Sequence, residues 1–384
     1  MDISKSEIVI ATHYLVYGAP QALRDYLLNN KIKELLFIGH PLIIDETKSF
    51  REIIIKGSVI SKRYFPLRAK HSFLNYFPEF CLSLFWVLSR KKKYNLFIGV
   101  DGLNAFVGII LRKLGRVNKV VFYTIDYVPI RFPNKFFNRF YHWLDKFCLK
   151  NADETWNVSP RIAEGREKIK GLKKSDYPRQ KVVPIGVWLD KIKRTSWERV
   201  KKHQLLFVGN LLKKQGVQLV IQAIPEISKK IPDFHFLVIG GGEYENNLKK
   251  LVQKVRVDKY VTFTGWIKER KELEEKMRNS ALAVAMYEKN KESFTYYADP
   301  TKIKDYLSMG IPVLLTDLPY NAKEIEKEKC GIIVDYKKGD IADAIIKLMG
   351  DEKKLQTYRQ NALSYAKRFD WNKIFKESLE KLLL

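Results

Sequence analysis

The sequence predicts an α/β protein made of two doubly wound, Rossmann-like domains facing across a cleft. Three observations carry that expectation. The chain has 384 residues and is 46% hydrophobic, enough for two full cores. Its short apolar runs do not alternate with polar residues, as befits strands covered on both faces. Helical periodicity fills the gaps between those runs, the pattern of a parallel sheet wrapped by helices.

In the first half the expected strands are 8–11, 34–38, 96–100, 119–124, 154–158 and 182–184, with helices that include 20–29 and 105–114. The second half repeats the plan with strands 205–208, 234–239, 260–263, 282–285, 312–315 and 331–334. Helices at 217–229 and 243–255 lie among them. The polar, basic stretch 190–203 marks the boundary, giving domains 1–195 and 196–370. The last helix, from Trp371 to the end, is expected to pack back on the first domain. Doubly wound sheets bind ligands beyond the carboxyl ends of their strands, so strand-end residues are the site candidates.

Residues 298–317, ADPTKIKDYLSMGIPVLLTD, are the most informative. Pro300 suits a first helical position, Ile303, Tyr306 and Leu307 share one face, and Gly310 ends the helix before an apolar strand. Asp299 and Lys302 lie at the helix start. Free N–H groups, the positive dipole end and the Lys302 cation together suit a phosphate. Asp305, one turn on, can accept hydrogen bonds from sugar hydroxyls, so the stretch reads as a nucleotide site.

That helix resembles the donor-site helix of the GT-B glycosyltransferases, especially glycosyltransferase family 4. Pro300, Lys302, Tyr306, Leu307, Gly310, Pro312 and Val313 match the family pattern, and Asp305 stands where the family has the Glu that resembles a ribose ligand. FVGNLLKKQG (207–216), LVIGGGE (237–243), VTFTGWI (261–267) and FDWNKIF (369–375) resemble further family segments in the same order. The sequence also departs from the pattern. The first acidic position falls on Tyr297, and the Arg and Lys of the diphosphate loop fall on Asn210 and Gln215. Lys213 and Lys214 are the neighbouring cations able to stand in.

The resemblance implies a donor site drawn from Gly18, Asn210, Lys213, Lys214, Gly241, Trp266, Ile267, Tyr287, Asp299, Lys302 and Asp305. Gly241 is also compatible with a simple strand-to-helix turn, and Trp266 and Tyr287 with packing in place of base contact. On the acceptor side, His13, Asp101 and Asp126 end strands. His13 and Asp126 are the catalytic candidates, able to hold an acceptor hydroxyl or act as a base. Ser159 reads as a helix cap.

Composition limits the partners. The net charge is +27, and residues 1–200 hold 36 Lys/Arg against 18 Asp/Glu. Such a field recruits anions: lipid headgroups, nucleic acid or phosphorylated substrates. No nucleic-acid recognition motif accompanies it, and no dinucleotide fingerprint follows the first strand of either half. The segment 80–89 running into Arg90–Lys93, with Arg63, Arg68 and Lys70 upstream, suggests contact with an anionic membrane surface, the alternative being a buried helix with a solvated basic end. No apolar run reaches the ~20 residues of a membrane span, and the N-terminus reads as a strand and not a leader. Cys81, Cys148 and Cys330 are widely spaced, as in a reducing compartment. No Asp-x-Asp occurs, so neither metal nor cofactor is expected.

The resulting expectation is a retaining glycosyltransferase with a nucleotide-sugar donor and a saccharide or lipid-linked acceptor. Its setting would be polysaccharide or glycolipid synthesis at the cytoplasmic face of a membrane. A non-catalytic subunit of the same fold is the alternative, and a nucleic-acid-binding protein a weaker one.

Overall fold

The computed structural model describes residues 3–383 except 15–16, 43–47, 67–71, 174, 176, 178–179, 290–293 and 381, and leaves out the side chains of 72–74 and 169. Arg68 and Lys70 lie outside the described residues. The chain forms two compact units, residues 1–185 with 371–384, and residues 186–370.

The first unit runs β1 (Glu7–Tyr14), α1 (Ala19–Asn29), β2 (Glu34–Pro41), β3 (Lys48–Ile55), β4 (Ser58–Pro66), α2 (Ser72–Leu88), β5 (Tyr94–Val100) and α3 (Asp101–Lys113). It continues with β6 (Val117–Thr124), α4 (Lys135–Asn151), β7 (Glu154–Asn157), α5 (Pro160–Lys170) and β8 (Gln180–Val182). The sheet order is β4-β3-β2-β1-β5-β6-β7-β8. Strands β1, β2 and β5 to β8 are parallel, whereas β3 and β4 add an antiparallel hairpin. Apolar runs do not reveal that hairpin, because β4 has no buried face: its Val59, Ile60, Tyr64 and Phe65 are exposed beside Lys62 and Arg63. Its turn is Lys56–Gly57, both at positive φ, 49° and 79°, as a tight two-residue hairpin requires. Arg63 therefore sits on an edge strand opposite Arg51.

Helix α2 buries Leu82, Trp86 and Val87 against the sheet core. The basic run after it is partly neutralised at home. Arg90 pairs with Glu34 at 3.1 Å, and Lys92 pairs with Glu34 at 2.5 Å and with Glu7 at 3.4 Å. Lys91 and Lys93 remain exposed, so the run expected at a membrane surface keeps part of its cationic charge free of ion pairs among the described residues. Helix α4 is fixed to the sheet by a buried ion pair. Arg166 donates to both Asp145 oxygens at 2.7 and 2.9 Å, to Asn157 Oδ1 at 2.8 Å and to Thr124 Oγ1 at 2.8 Å. A fully buried guanidinium tolerates this position because its donors are satisfied.

The second unit runs β9 (Lys201–Val208), α6 (Val217–Lys230), β10 (His235–Ile239), α7 (Glu245–Lys254), β11 (Val261–Phe263), α8 (Arg270–Met277), β12 (Ser280–Ala285) and α9 (Phe294–Tyr297). Then follow α10 (Thr301–Ser308), β13 (Val313–Leu315), α11 (Ala322–Lys327), β14 (Gly331–Ile333), α12 (Lys338–Met349) and α13 (Glu352–Ala366). Its sheet is parallel throughout, in the order β11-β10-β9-β12-β13-β14. Successive residues of a strand point to opposite faces. Phe207 accordingly enters one core with Phe236 and Ile224, and Leu206 the other with Ile303 and Tyr306.

The chain passes between units at 185–186, before the expected 195–196. Polarity misleads here because the intervening residues dock on the second unit. Val187 N donates to Phe369 O at 2.8 Å, Leu189 and Ile192 pack against a core cluster, and Arg194 Nε donates to Ser308 O at 3.0 Å. The final helix, α14 (Trp371–Glu380), belongs to the first unit, with Phe375 against Tyr26 of α1.

Candidate functional site

In the second unit the loops after β9 and β10 are stitched together by their backbones. Gly209 N donates to Ile239 O at 3.0 Å and Leu211 N to Gly241 O at 2.9 Å. A Cβ on Gly240 (φ 139°) would stand 2.0 Å from Gly209 O, and one on Gly209 (φ 141°) would stand 2.7 Å from Lys302 Nζ. Only glycine allows this approach of backbone and amine.

Lys302 lies in the first turn of α10, whose N-cap is Pro300, one position earlier in role than the sequence suggested. Its Nζ donates to Gln215 Oε1 at 3.1 Å and lies 4.4 Å from the Phe207 ring centroid and 5.8 Å from that of Tyr287. Among the described residues no carboxylate pairs with it. Burial without an anion brings its ammonium down to about 7. Tyr306 OH accepts from Val208 N at 2.8 Å and locks α10 to the end of β9.

The nearby acids are already matched. Asp305 accepts from Arg270 Nη2 at 2.6 Å and Nη1 at 3.2 Å, and Arg270 also bonds Glu274 at 2.6 Å. Asp299 and Lys304 form an ion pair with both side chains buried. Lys302, which is half-buried, is thus left without a carboxylate among the described residues. Asp299, expected at the donor, is sealed from solvent by that pair, because a buried carboxylate needs its cation. Asp305 faces Arg270 and is not an open hydroxyl acceptor.

Asn210, Lys213 and Lys214 are exposed beside this loop, and Gly241 is part-exposed. Trp266 is 60% exposed, whereas Ile267 packs on the core. Tyr287 is 3% exposed and exchanges hydrogen bonds with Thr316, so it forms the floor under Lys302 and offers no open ring. Tyr297, at the family's first acidic position, is also buried.

In the first unit, Gly18 is the N-cap of α1, its N–H donating to Gln21 Oε1 at 3.0 Å. His13 is held from both sides. Asn104 Nδ2 donates to Val100 O at 2.9 Å and to His13 Nδ1 at 3.2 Å, so Nε2–H is the nitrogen facing Glu79 Oε2 at 2.9 Å. Neither ring nitrogen is left to take a proton from an acceptor, which corrects the expectation that His13 is a catalytic base.

Asp101 and Asp126 follow the adjacent strands β5 and β6. Burial and the Asp126 charge raise Asp101 to about 6, and burial raises Asp126. Arg131 Nη1 stands 3.8 Å from Asp126 Oδ2. Asp101 has φ 64°, a strained value for a residue with a Cβ, of the kind that gathers at functional sites. Ser159 caps α5, its hydroxyl accepting from Arg161 N at 3.1 Å.

Sequence reading missed Arg270, Arg131, Glu79 and Asn104. Glu79 left a trace, as the lone acid in the apolar helix α2. Arg270 left none, since its partner Asp305 is 35 positions away.

Residues 190–365 match the family described as Glycosyl transferases group 1. An uncharacterized glycosyltransferase of Methanocaldococcus jannaschii is 24% identical over 272 residues, 60% of this chain and 64% of that protein. The GDP-mannose-dependent alpha-(1-6)-phosphatidylinositol monomannoside mannosyltransferase of Mycobacterium tuberculosis is 23% identical over 173 residues, 41% of each chain. Both matches span less than two thirds of the relative's length. Among solved structures, Anabaena HepE in complex with UDP aligns with a TM-score of 0.70 at 15% identity, covering 98% of this chain and 99% of that one. Residues 190–365 are therefore similar to the glycosyl transferases group 1 family, and the fold of the chain is that of the GT-B structures it aligns with.

Proposed function

We propose that this protein transfers a sugar from a nucleotide-sugar donor to a saccharide or lipid-linked acceptor, with retention of configuration and without a resident metal. The observation that carries the reading is Lys302. A half-buried ammonium cushioned by two aromatic rings and lacking a counter-ion among the described residues is costly unless an anion arrives. A donor diphosphate seated against Gly209 and Gly241 supplies that anion. Fixed cations then stabilise the leaving nucleoside diphosphate, with exposed Lys213 and Lys214 at the rim. The exposed indole of Trp266 would stack on the base.

Asp126, kept near Arg131, takes the acceptor hydroxyl. Asp101 tunes it by charge, and Glu79 and Asn104 keep His13 in one tautomer as a positioning residue. The lipid-linked acceptor and a place in polysaccharide or glycolipid synthesis at a cytoplasmic membrane face rest on the cationic first half. One curated relative has a phosphatidylinositol-based name. The absence of Asp-x-Asp supports a reaction that continues in excess chelator.

The test is thermal stabilisation by UDP, GDP, ADP and TDP and their sugar conjugates. A matching ligand at a hundredfold excess over its dissociation constant adds about 2.7 kcal/mol. No shift with any of them, and no turnover, would favour the non-catalytic reading, which the Tyr297 substitution and the Arg270–Asp305 pair support.

A further inference from the structure

Helix α4, KFFNRFYHWLDKFCLKN, carries two adjoining stripes. At 100° per residue, Lys135, Arg139, Lys146 and Lys150 fall within one 60° arc, and Trp143, Phe136, Phe147 and Phe140 within the next. All four cations are exposed. Phe136 is 74% exposed, and Phe140 and Trp143 are each 50% exposed. These aromatics are not isolated. Trp143 stacks on Phe140 and on Phe147 at 5.7 Å, and Phe106 continues the strip to Phe80 of α2, also at 5.7 Å. A monomer in water gains nothing by presenting a continuous aromatic strip of this kind.

Beside the strip is a cavity of about 510 Å³ lined by Lys135, Arg139, Lys146, Lys170, His142 and Trp143, with Asp145 and others. Lys135, Arg139, Lys146 and Lys170 form no ion pair among the described residues. Asp145, the acid of this wall, is spent on Arg166. The occupant must therefore offer apolar and anionic surface side by side in one plane.

We infer that this face of α4 seats on a bilayer of anionic lipid. The aromatic strip enters the headgroup–acyl boundary, and the cavity takes a phosphate headgroup between Lys135, Arg139, Lys146 and Lys170. Its cations come from α4 and α5, not from the run 90–93, where Arg90 and Lys92 are already paired. Single-stranded nucleic acid would use separated stacking platforms, not rings packed on one another.

The inference sharpens the membrane-bound part of the proposed function, and the test separates the two. Sedimentation with vesicles of phosphatidylcholine alone, or with a third phosphatidylglycerol, is measured at low salt for the wild type, Phe136→Ser/Phe140→Ser/Trp143→Ser, Lys135→Ala/Arg139→Ala/Lys146→Ala, and Arg90→Ala/Lys93→Ala. The expected result is binding to anionic vesicles alone. The charge variant should bind roughly a hundredfold more weakly, at about fivefold per cation, and the aromatic variant at least tenfold more weakly. Both should keep the wild-type circular dichroism and the wild-type response to nucleotide. A wild type that ignores anionic vesicles overturns the membrane reading as a whole. Wild-type binding unchanged in both α4 variants, or lost in Arg90→Ala/Lys93→Ala alone, overturns the α4 assignment and leaves the membrane reading standing. Competition by millimolar glycerol phosphate equal to that of vesicles, tighter binding to a poly-dT oligonucleotide, or dimerisation through this face would also overturn it.

Discussion

The strand ends of the two units bear opposite electrostatic faults. In the second unit, acids and bases pair off around α10 until Lys302 stands alone among Phe207, Tyr287 and Gln215. In the first, the carboxylates of Asp101 and Asp126 raise each other's cost of ionisation, with Arg131 beside Asp126 at 3.8 Å. Other buried charges are matched, as at Arg166–Asp145 and Lys304–Asp299, or are capped by backbone carbonyls, as Arg359 is by Gly310 O at 3.0 Å. Charge left without a partner side chain is the feature the two strand-end sites share. Its sign indicates the ligand: an anion for the second unit, a hydroxyl or cationic centre for the first.

The sharpest way to break this comparison is to neutralise one site and read the other. Asp126→Asn should lower kcat by about 10³-fold, within the range for a lost acid–base group, while donor affinity stays at wild type. Equal loss of donor binding would show that the sites are not separable. A control on the compensated scaffold should instead damage stability. Arg166→Met leaves Asp145 buried and unpaired and should cost about 3–5 kcal/mol in urea unfolding. A cost under 1 kcal/mol would remove the contrast.

Lys302→Met comes next. Losing a charge-assisted contact should weaken nucleoside diphosphate binding by about 2 kcal/mol, or roughly thirtyfold. The melting temperature of the free protein should rise, since a poorly solvated ammonium disappears.

Asp101 gives a smaller, pH-dependent effect. Its folded value lies above the ordinary carboxylate value, so the folded state holds that proton more tightly than the unfolded chain. The stability it contributes is fully present below about pH 4 and is lost as pH rises through about 6. Asp101→Asn should therefore stabilise the protein by up to about 3 kcal/mol at pH 7.5 and by nothing near pH 4. A gain of the same size at both would contradict the assigned cause. Smallest is Arg270→Gln, which frees Asp305 and should change donor affinity less than about tenfold, as read by calorimetry.

Much of the architecture was legible because strand–helix alternation and the α10 motif are local patterns. Lys302 could be singled out from its place at a helix start. Which acid each cation chooses could not, because pairing is settled by tertiary proximity. Asp299 meets Lys304, and Asp305 meets Arg270 across 35 positions. The same limit hid the grip of Asn104 and Glu79 on His13, and the pairing that takes Arg90 and Lys92 out of a free basic patch. The β3–β4 hairpin escaped for another reason: its outer strand has no buried face to write a pattern.

The central claim is that Lys302 waits for the donor diphosphate. It is tested most directly by calorimetric binding of the nucleoside diphosphate that stabilises the protein, at pH 7 and pH 9, in wild type and Lys302→Met. Free Lys302 loses its proton near 7, and a bound diphosphate holds it on. Wild-type affinity should therefore fall on going to pH 9, by up to about tenfold per pH unit, with proton uptake on binding. Lys302→Met should bind weakly at both, with no such slope. Equal affinity in the two proteins at pH 7 would contradict the claim.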